Sequence, residues 1–463
     1  MPQPTYDFIS DPTIFNIGQL PSRAFRKSEK QGGEKIDKLS LNGEWSFFFT
    51  ENKVEIPAGF EKPDFDYKDW GSITVPANWE FKGYGTPIHV NDRYLFPQNP
   101  PFVPEQNPCG IYKKKVDIPS EWKDKHITLT IGAVKSAAYI YINGEFVAYN
   151  QDSRTEVRID VTDYFGESIE ITIQVFTWCD GSYLECHDLW RVSGIEREVY
   201  LTAKEYDQIY DFAVHGLLQN NYIDRVLNIK TALLLDGNET YQIKYELTSL
   251  LGVKEVEHVS EVDDYYTMIS FDIPNVEPWC GEEPHLYELK ITLLRSGQVM
   301  DVVQHLIGFR NIEILDHQLC INGQPLIMNT HDKHKQGPVS CQMITIESMI
   351  DELELLKEQG CNTVRSSHYH NAQEWYELCD EYGMYVIDEA NIERHDMAPE
   401  TESLAKNKNW QAAQVDRIQR MYLRSKNHTC IIAWSLSNEG NDGVGFEEGY
   451  QWLKTQDPTR IIL

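Results

Sequence analysis

The hydrophobic period of this chain changes near residue 311, and that change limits the fold more than any other feature. Before it, apolar and polar residues alternate in short runs separated by turn residues, the pattern of antiparallel strands. Ile127–Val134 alternates, and Ala138–Tyr149 is broken by Asn143-Gly144, a two-residue hairpin turn. Ser168–Phe176 and Glu196–Leu201 continue the pattern, so residues 1–205 read as a β-sandwich. The stretch Phe96-Pro-Gln-Asn-Pro-Pro-Phe-Val-Pro104 lacks the amide donors of a central strand and reads as a long, stiff loop. Val226–Leu234, Tyr241–Thr248, Tyr266–Ile273 and Leu286–Leu294 suggest an immunoglobulin-like sandwich over 206–310.

After residue 311, strand and helix alternate. The expected strands are Leu326–Asn329, Asn362–Ser366, Met384–Ile387, Cys430–Leu436 and Arg460–Leu463. The expected helices are Ile346–Gln359, Asn371–Tyr382, Trp410–Lys426 and Phe446–Thr455. Met349, Leu353 and Leu356 fall on one helical face, and Gly360 and Gly383 follow two of the helices. Asn371 with Glu374 reads as a helix cap. About four βα units make the first half of an eight-stranded TIM (β/α) barrel over 311–463, because a whole barrel takes about 250 residues.

Forty-two basic against 72 acidic residues leave a net charge of −30, which argues against nucleic acid or an anionic membrane as partner. The nine cysteines form no Cys-x-x-Cys pair, and a reducing, cytoplasmic setting is expected. Met1-Pro-Gln-Pro-Thr shows no basic region followed by an apolar stretch, so no secretory signal is expected there. No run is long and apolar enough for a membrane span.

Barrel chemistry sits where the strands end. Those ends carry Thr330-His331-Asp332, Ser367-His368-Tyr369-His370, Asp388-Glu389 running to Glu393-Arg394-His395, and Asn438-Glu439. One His or carboxylate at a strand end is an ordinary hydrogen-bonded residue, and Asp388 and Glu389 have Arg365 as a ready partner. Four such ends in a row suit glycoside cleavage, in which the leaving oxygen needs a proton and the oxocarbenium ion a negative neighbour. Glu393-x-His395 near Glu439 also suits an oxygen-preferring divalent cation.

Four blocks carry a resemblance: Asp180-Gly-Ser-Tyr-Leu-Glu-Cys-His-Asp-Leu-Trp-Arg-Val-Ser-Gly-Ile195, Asn362-Thr-Val-Arg-Ser-Ser-His-Tyr369, Tyr385-Val-Ile-Asp-Glu-Ala-Asn-Ile-Glu-Arg-His395 and Trp434-Ser-Leu-Ser-Asn-Glu-Gly440. Asn99-Pro-Pro-Phe-Val-Pro104, the Asn143-Gly144 turn and Gln151-Asp-Ser-Arg154 join them. In order from about residue 40 to the end, the chain resembles the β-galactosidases of glycoside hydrolase family 2. In detail it is similar to the large subunit of heterodimeric lactobacillus-type enzymes. The resemblance implies a jelly-roll sugar-binding domain, an immunoglobulin-like domain and a catalytic barrel. It implies retaining hydrolysis of terminal β-D-galactosides such as lactose, with Glu439 as acid/base, its pKa raised by burial and nearby negative charge. It implies Mg²⁺ on Glu393, His395 and Glu439, and Na⁺ and galactose at Asp188. Asn99, His331, His368 and Asn438 would contact the sugar.

The family nucleophile is a second Glu on a later strand, placed beyond Leu463. Residues 1–463 are therefore expected to be an N-terminal fragment, poorly stable and inactive alone, with a small subunit or further copies as possible partners. Two other readings stand beside this one. A non-catalytic sugar-binding or assembly subunit completed by a partner chain would have no need of Glu439, Glu393 and His395 together. A β-glucuronidase would set Asp188 against the charge of its substrate.

Overall fold

The computed structural model describes residues 4–26, 37–90, 94–237, 239–333, 345–394, 403–440 and 442–463. The first unit is a jelly-roll sandwich. Its larger sheet orders the strands Asn16–Ile17, Glu145–Asn150, Ala137–Ile142, Ser168–Phe176, Cys109–Asp117, Gly43–Thr50 and Gly71–Val75. The facing sheet orders Val157–Asp160, His126–Ile131, Val199–Lys204 and Asp37–Ser40. Trp45, Tyr112, Ile140 and Ile173 from one sheet meet Leu129, Ile131 and Leu201 from the other. The hairpin turn forms as expected, with Asn143 and Gly144 at φ 51° and 85°, the sign a two-residue turn requires. The last expected strand begins three residues late, at Val199. Glu196 and Arg197 before it turn instead to bond Arg154, through the Arg154–Glu196 ion pair and from Arg197 Nη1 to the Arg154 carbonyl.

The second unit packs Gln208–Gln219, Asp224–Leu234 and Tyr266–Asp272 against Lys254–Glu261, Tyr241–Ser249, Tyr287–Arg295 and Gln298–Ile307. Leu227, Ile229, Ile243, Ile291 and Leu293 fill its core, the inward faces of alternating strands.

The third unit is a parallel sheet with helical crossovers. Its strands β1 (Thr330–Asp332), β2 (Thr363–Arg365), β3 (Tyr385–Glu389), β4 (Ile431–Ser435) and β5 (Ile461–Ile462) lie side by side in chain order. The helices between them are α1 (Ile346–Glu358), α2 (Gln373–Tyr382), α3 (Lys408–Ser425) and α4 (Val444–Gln456). Thr345 and Ser348 cap α1 reciprocally, and Met349, Leu353 and Leu356 are its buried face. Gly383 ends α2 in the left-handed region, at φ 68°.

Two expectations are corrected. Leu326–Asn329 is not the first strand, because Asn362 draws its peptide groups into side-chain bonds: Asn329 N donates to Asn362 Oδ1 and Asn362 Nδ2 to the Ile327 carbonyl. The ladder starts at Thr330, so His331 lies within β1 rather than after it. Asn371 does not cap α2. The cap position is Ala372, while Asn371 Nδ2 bonds Ser366 Oγ and its amide donates to the Tyr376 hydroxyl. Among the described residues no helix is long and apolar enough to cross a membrane.

The jelly roll docks on the barrel through a buried polar seam. Glu185 Oε1 accepts from Arg417 Nη1 of α3 at 2.7 Å and from Asn391 Nδ2 at 3.0 Å, and Oε2 accepts from Lys135 Nζ at 2.7 Å. Asn391 also reaches Asp152, and Arg424 of α3 reaches Glu156. Burial alone would raise the Glu185 carboxyl, but Lys135 and Arg417 hold it well below its ordinary value.

Removing one member leaves the others buried and uncompensated. Glu185→Ala is therefore expected to cost about 3–5 kcal/mol, read as a lower urea midpoint at pH 7. Because the folded carboxyl titrates below the unfolded one, its contribution is complete above about pH 4.3 and fades as pH falls further. The gap between wild type and variant should accordingly narrow as pH falls below about 4.3.

Candidate active site

The C-terminal ends of β1 to β4 are joined by one guanidinium. Arg365, the last residue of β2, donates to Glu389 Oε2 at the end of β3 from Nε at 3.0 Å and from Nη2 at 2.8 Å. The same Nη2 reaches Asn438 Oδ1 after β4 at 2.8 Å, and Nη1 lies 3.9 Å from Asp332 Oδ1 at the end of β1. Glu389 is wholly buried and also accepts from Ser435 Oγ at 2.6 Å and His368 Nδ1 at 2.9 Å. His368 follows a cis peptide bond after Ser367. Parallel strands in register put these side chains at one level, which is why distant residues meet.

A second connection is made by backbone. The Leu184 carbonyl accepts from Glu393 N at 2.7 Å, the Glu393 carbonyl accepts from Cys186 N at 3.0 Å, and the Ile392 carbonyl accepts from Asn438 N at 2.9 Å. The turn Asp180–Leu184 of the jelly roll is thus threaded to the segment after β3 and through it to the loop after β4. That turn also moors the proline-rich loop. The Asn99 amide donates to the Tyr183 hydroxyl at 3.1 Å, which donates to the Phe102 carbonyl at 2.7 Å.

The predicted residues fall into three groups. His368 and Asn438 join the Arg365 network. Glu393 is buried, and its bridge to Asn438 sets it beside the backbone that carries Glu439. Glu439 is exposed rather than buried, with φ 47° in the left-handed region, uncommon for a residue with a side chain. Asn99 and His331 are exposed, and Asp188 is half-buried with His89 Nε2 3.7 Å from its Oδ1. His395 lies outside the described residues. Among the described residues no three potential metal ligands stand together, so Asp188, Glu393 and Glu439 do not close into a cluster of their own. Two carboxylates on neighbouring backbone still suit a hard cation that prefers oxygen donors, with a further ligand required.

Other strand-end residues are structural. His370 Nε2 lies 3.0 Å from Thr155 Oγ1 and 3.1 Å from the Arg154 carbonyl. The Arg154 guanidinium sits 4.3 Å from the Tyr369 ring centroid. Asp388 accepts from the Tyr376 hydroxyl at 2.5 Å. Sequence reasoning found Arg365 only as a neighbour for Asp388 or Glu389 and missed Ser435. The signal was an arginine at the last position of a short apolar strand, a costly place for a charge unless carboxylates face it.

Comparison with known proteins agrees in every segment. Residues 38–205 match the sugar binding domain of Glycosyl hydrolases family 2, residues 208–310 match Glycosyl hydrolases family 2, and residues 312–463 match its TIM barrel domain. The chain is 37% identical over 436 residues to a β-galactosidase of Psychromonas ingrahamii, covering 91% of this chain and 42% of that protein. It is 38% identical over 472 residues to one of Pseudoalteromonas haloplanktis, covering 98% of this chain and 45% of the relative. The chain therefore spans less than half the length of these relatives. Among solved structures, a β-glucuronidase of Ruminococcus gnavus superimposes with a TM-score of 0.76 at 20% identity, over 95% of this chain and 73% of that one. That likeness bears on the fold alone. With the same three domains matched in the same order, and with long relatives sharing more than a third of their aligned residues, this chain belongs to glycoside hydrolase family 2.

Proposed function

We propose that the protein containing this chain is a retaining glycoside hydrolase for terminal β-D-galactosides, lactose among them, with Glu439 as acid/base. The observation that carries the reading is the placement of Glu439. It follows β4 at the barrel mouth, in a left-handed backbone conformation, one residue after Asn438, which is bonded to both Arg365 and the Glu393 segment. Non-glycine residues held in sparsely populated conformations gather at functional sites. An exposed carboxyl at that position can give a proton to a leaving oxygen and take one from the water that follows. The relatives named β-galactosidase support galactose as the sugar.

The other residues bind and orient. His368 and Asn438 face sugar hydroxyls from a network already satisfied before substrate arrives, so little reorganisation is needed. Asn99 and Asp188 would reach the sugar from the jelly roll, the Asn99 segment being moored to Tyr183 of the turn. His331 contributes from β1. Glu393, Glu439 and His395 would hold Mg²⁺, which when bound relieves the repulsion between the two glutamates. Na⁺ at Asp188 belongs to the same reading. A reducing cytoplasm suits the described cysteines, all of them free thiols.

A retaining mechanism takes two carboxylates. Glu389 is unsuited to the second role, because Arg365, His368 and Ser435 occupy it and no part of it is exposed. A polypeptide of residues 1–463 by itself is expected to give no turnover of a chromogenic β-galactoside. In this reading the second carboxylate stands on a later strand of the barrel, and a small subunit or further copies are its proposed partners.

In the active assembly, Glu439→Gln should lower kcat by about 10²–10⁴-fold, the usual share of general acid–base catalysis. Full activity in that variant would remove Glu439 from the mechanism. The same assembly assayed with matched nitrophenyl sugars should cleave the β-galactoside in preference to the β-glucuronide. The reverse preference would overturn the substrate assignment while leaving the family membership intact.

A further inference from the structure

Glu389 faces donors only. Arg365 and Ser435 take its Oε2, and His368 Nδ1 lies 2.9 Å from its Oε1. A carboxylate beside a guanidinium is acceptor-only, and a guanidinium has no acceptor to offer in exchange. The imidazole must therefore donate from Nδ1, since two acceptors at 2.9 Å would repel. A free neutral imidazole prefers its proton on Nε2, so the ring is held in the form it would otherwise populate less. In that form the ring nitrogen remote from Glu389 is the acceptor, the role a sugar hydroxyl can use as donor. The same carboxylate fixes Arg365, whose Nη2 bond to Asn438 Oδ1 at 2.8 Å sets the direction of that amide.

We infer that Glu389 is a positioning residue of the barrel mouth: it keeps the proton of His368 on Nδ1 and, through Arg365, orients the side chain of Asn438. One carboxylate on β3 thereby sets the groups delivered by the loops after β2 and β4. The hydrogen-bond pattern stands by itself. That the two oriented groups meet a sugar rests on the galactoside reading.

The test is nitrogen NMR of the protein labelled with ¹⁵N-histidine at pH 8, with the His368 signals identified by their loss in His368→Gln. The expected result is a protonated Nδ1 in the wild type and a proton relocated to Nε2 in Glu389→Met. An unprotonated Nδ1 in the wild type overturns the inference, as does an Nδ1 proton that stays in Glu389→Met. If the single variant does not fold, Arg365→Met with Glu389→Met removes the whole ion pair and serves the same measurement. In the active assembly, Glu389→Met should also lower β-galactoside turnover about 100-fold, the scale of an ångström-level misplacement. Lost turnover with an unmoved proton would make Glu389 merely structural and sink the inference. A relocated proton with no β-galactoside cleaved by any form, wild type included, would instead overturn the galactoside reading and leave the role of Glu389 in place.

Discussion

The buried carboxylate of Glu185 is the interaction on which the arrangement of this molecule depends. It comes from the jelly roll, yet one of its partners, Arg417, stands on α3 of the barrel and another, Asn391, follows β3. Taking such charges out of water costs several kcal/mol per ion, and only near-complete pairing offsets it. Each Glu185 oxygen accordingly has more than one donor, from Lys135, Ser153, Asn391 and Arg417. A seam of this kind tolerates little sliding, because a displaced surface would strand its charges. The backbone thread from Leu184 through Glu393 to Asn438 then carries that fixed register to the barrel mouth.

The immunoglobulin-like unit braces the opposite side of the same sheet. Arg310 donates to the carbonyls of Thr429 and Ile431, where β4 begins, and Trp279 Nε1 donates to the Asp380 carbonyl at the end of α2. Gly281 and Gly383 touch so closely that a Cβ on Gly383 would lie 2.4 Å from the Gly281 carbonyl oxygen. The strands are therefore held at their N-terminal ends by one sandwich and at their C-terminal ends by the other. Chemistry that depends on groups placed to a fraction of an ångström needs such support from outside the sheet.

Much of this was legible from residue order. Strand-and-helix alternation after residue 311 follows from periodicity, and the buried faces of α1 and the stop at Gly383 follow from local rules. The motifs Gln151-Asp-Ser-Arg154 and Asp180–Leu184 were visible as motifs, but their job was not. They form the docking surface and the mooring turn, and nothing local distinguishes a polar residue that faces water from one that faces another domain. The same ambiguity explains the misplaced first strand, where Asn362 captured the peptide groups of the preceding segment, and the misjudged cap at Asn371, whose amide found Ser366 instead.

The sequence by itself determined the elements, their order, the three-domain succession and the set of polar residues that the strand ends deliver, because each depends on neighbours within a few turns of chain. Only the tertiary structure decided which of those residues work together. It gathered Asp332, Glu389 and Asn438 around the guanidinium of Arg365, set Ser435 on Glu389, buried Glu393, left Glu439 exposed, and turned Tyr369 and His370 toward the jelly roll. Those outcomes depend on strand register and domain docking, which bring together groups up to hundreds of residues apart. Their energies come from desolvated charges whose partners no local pattern can name.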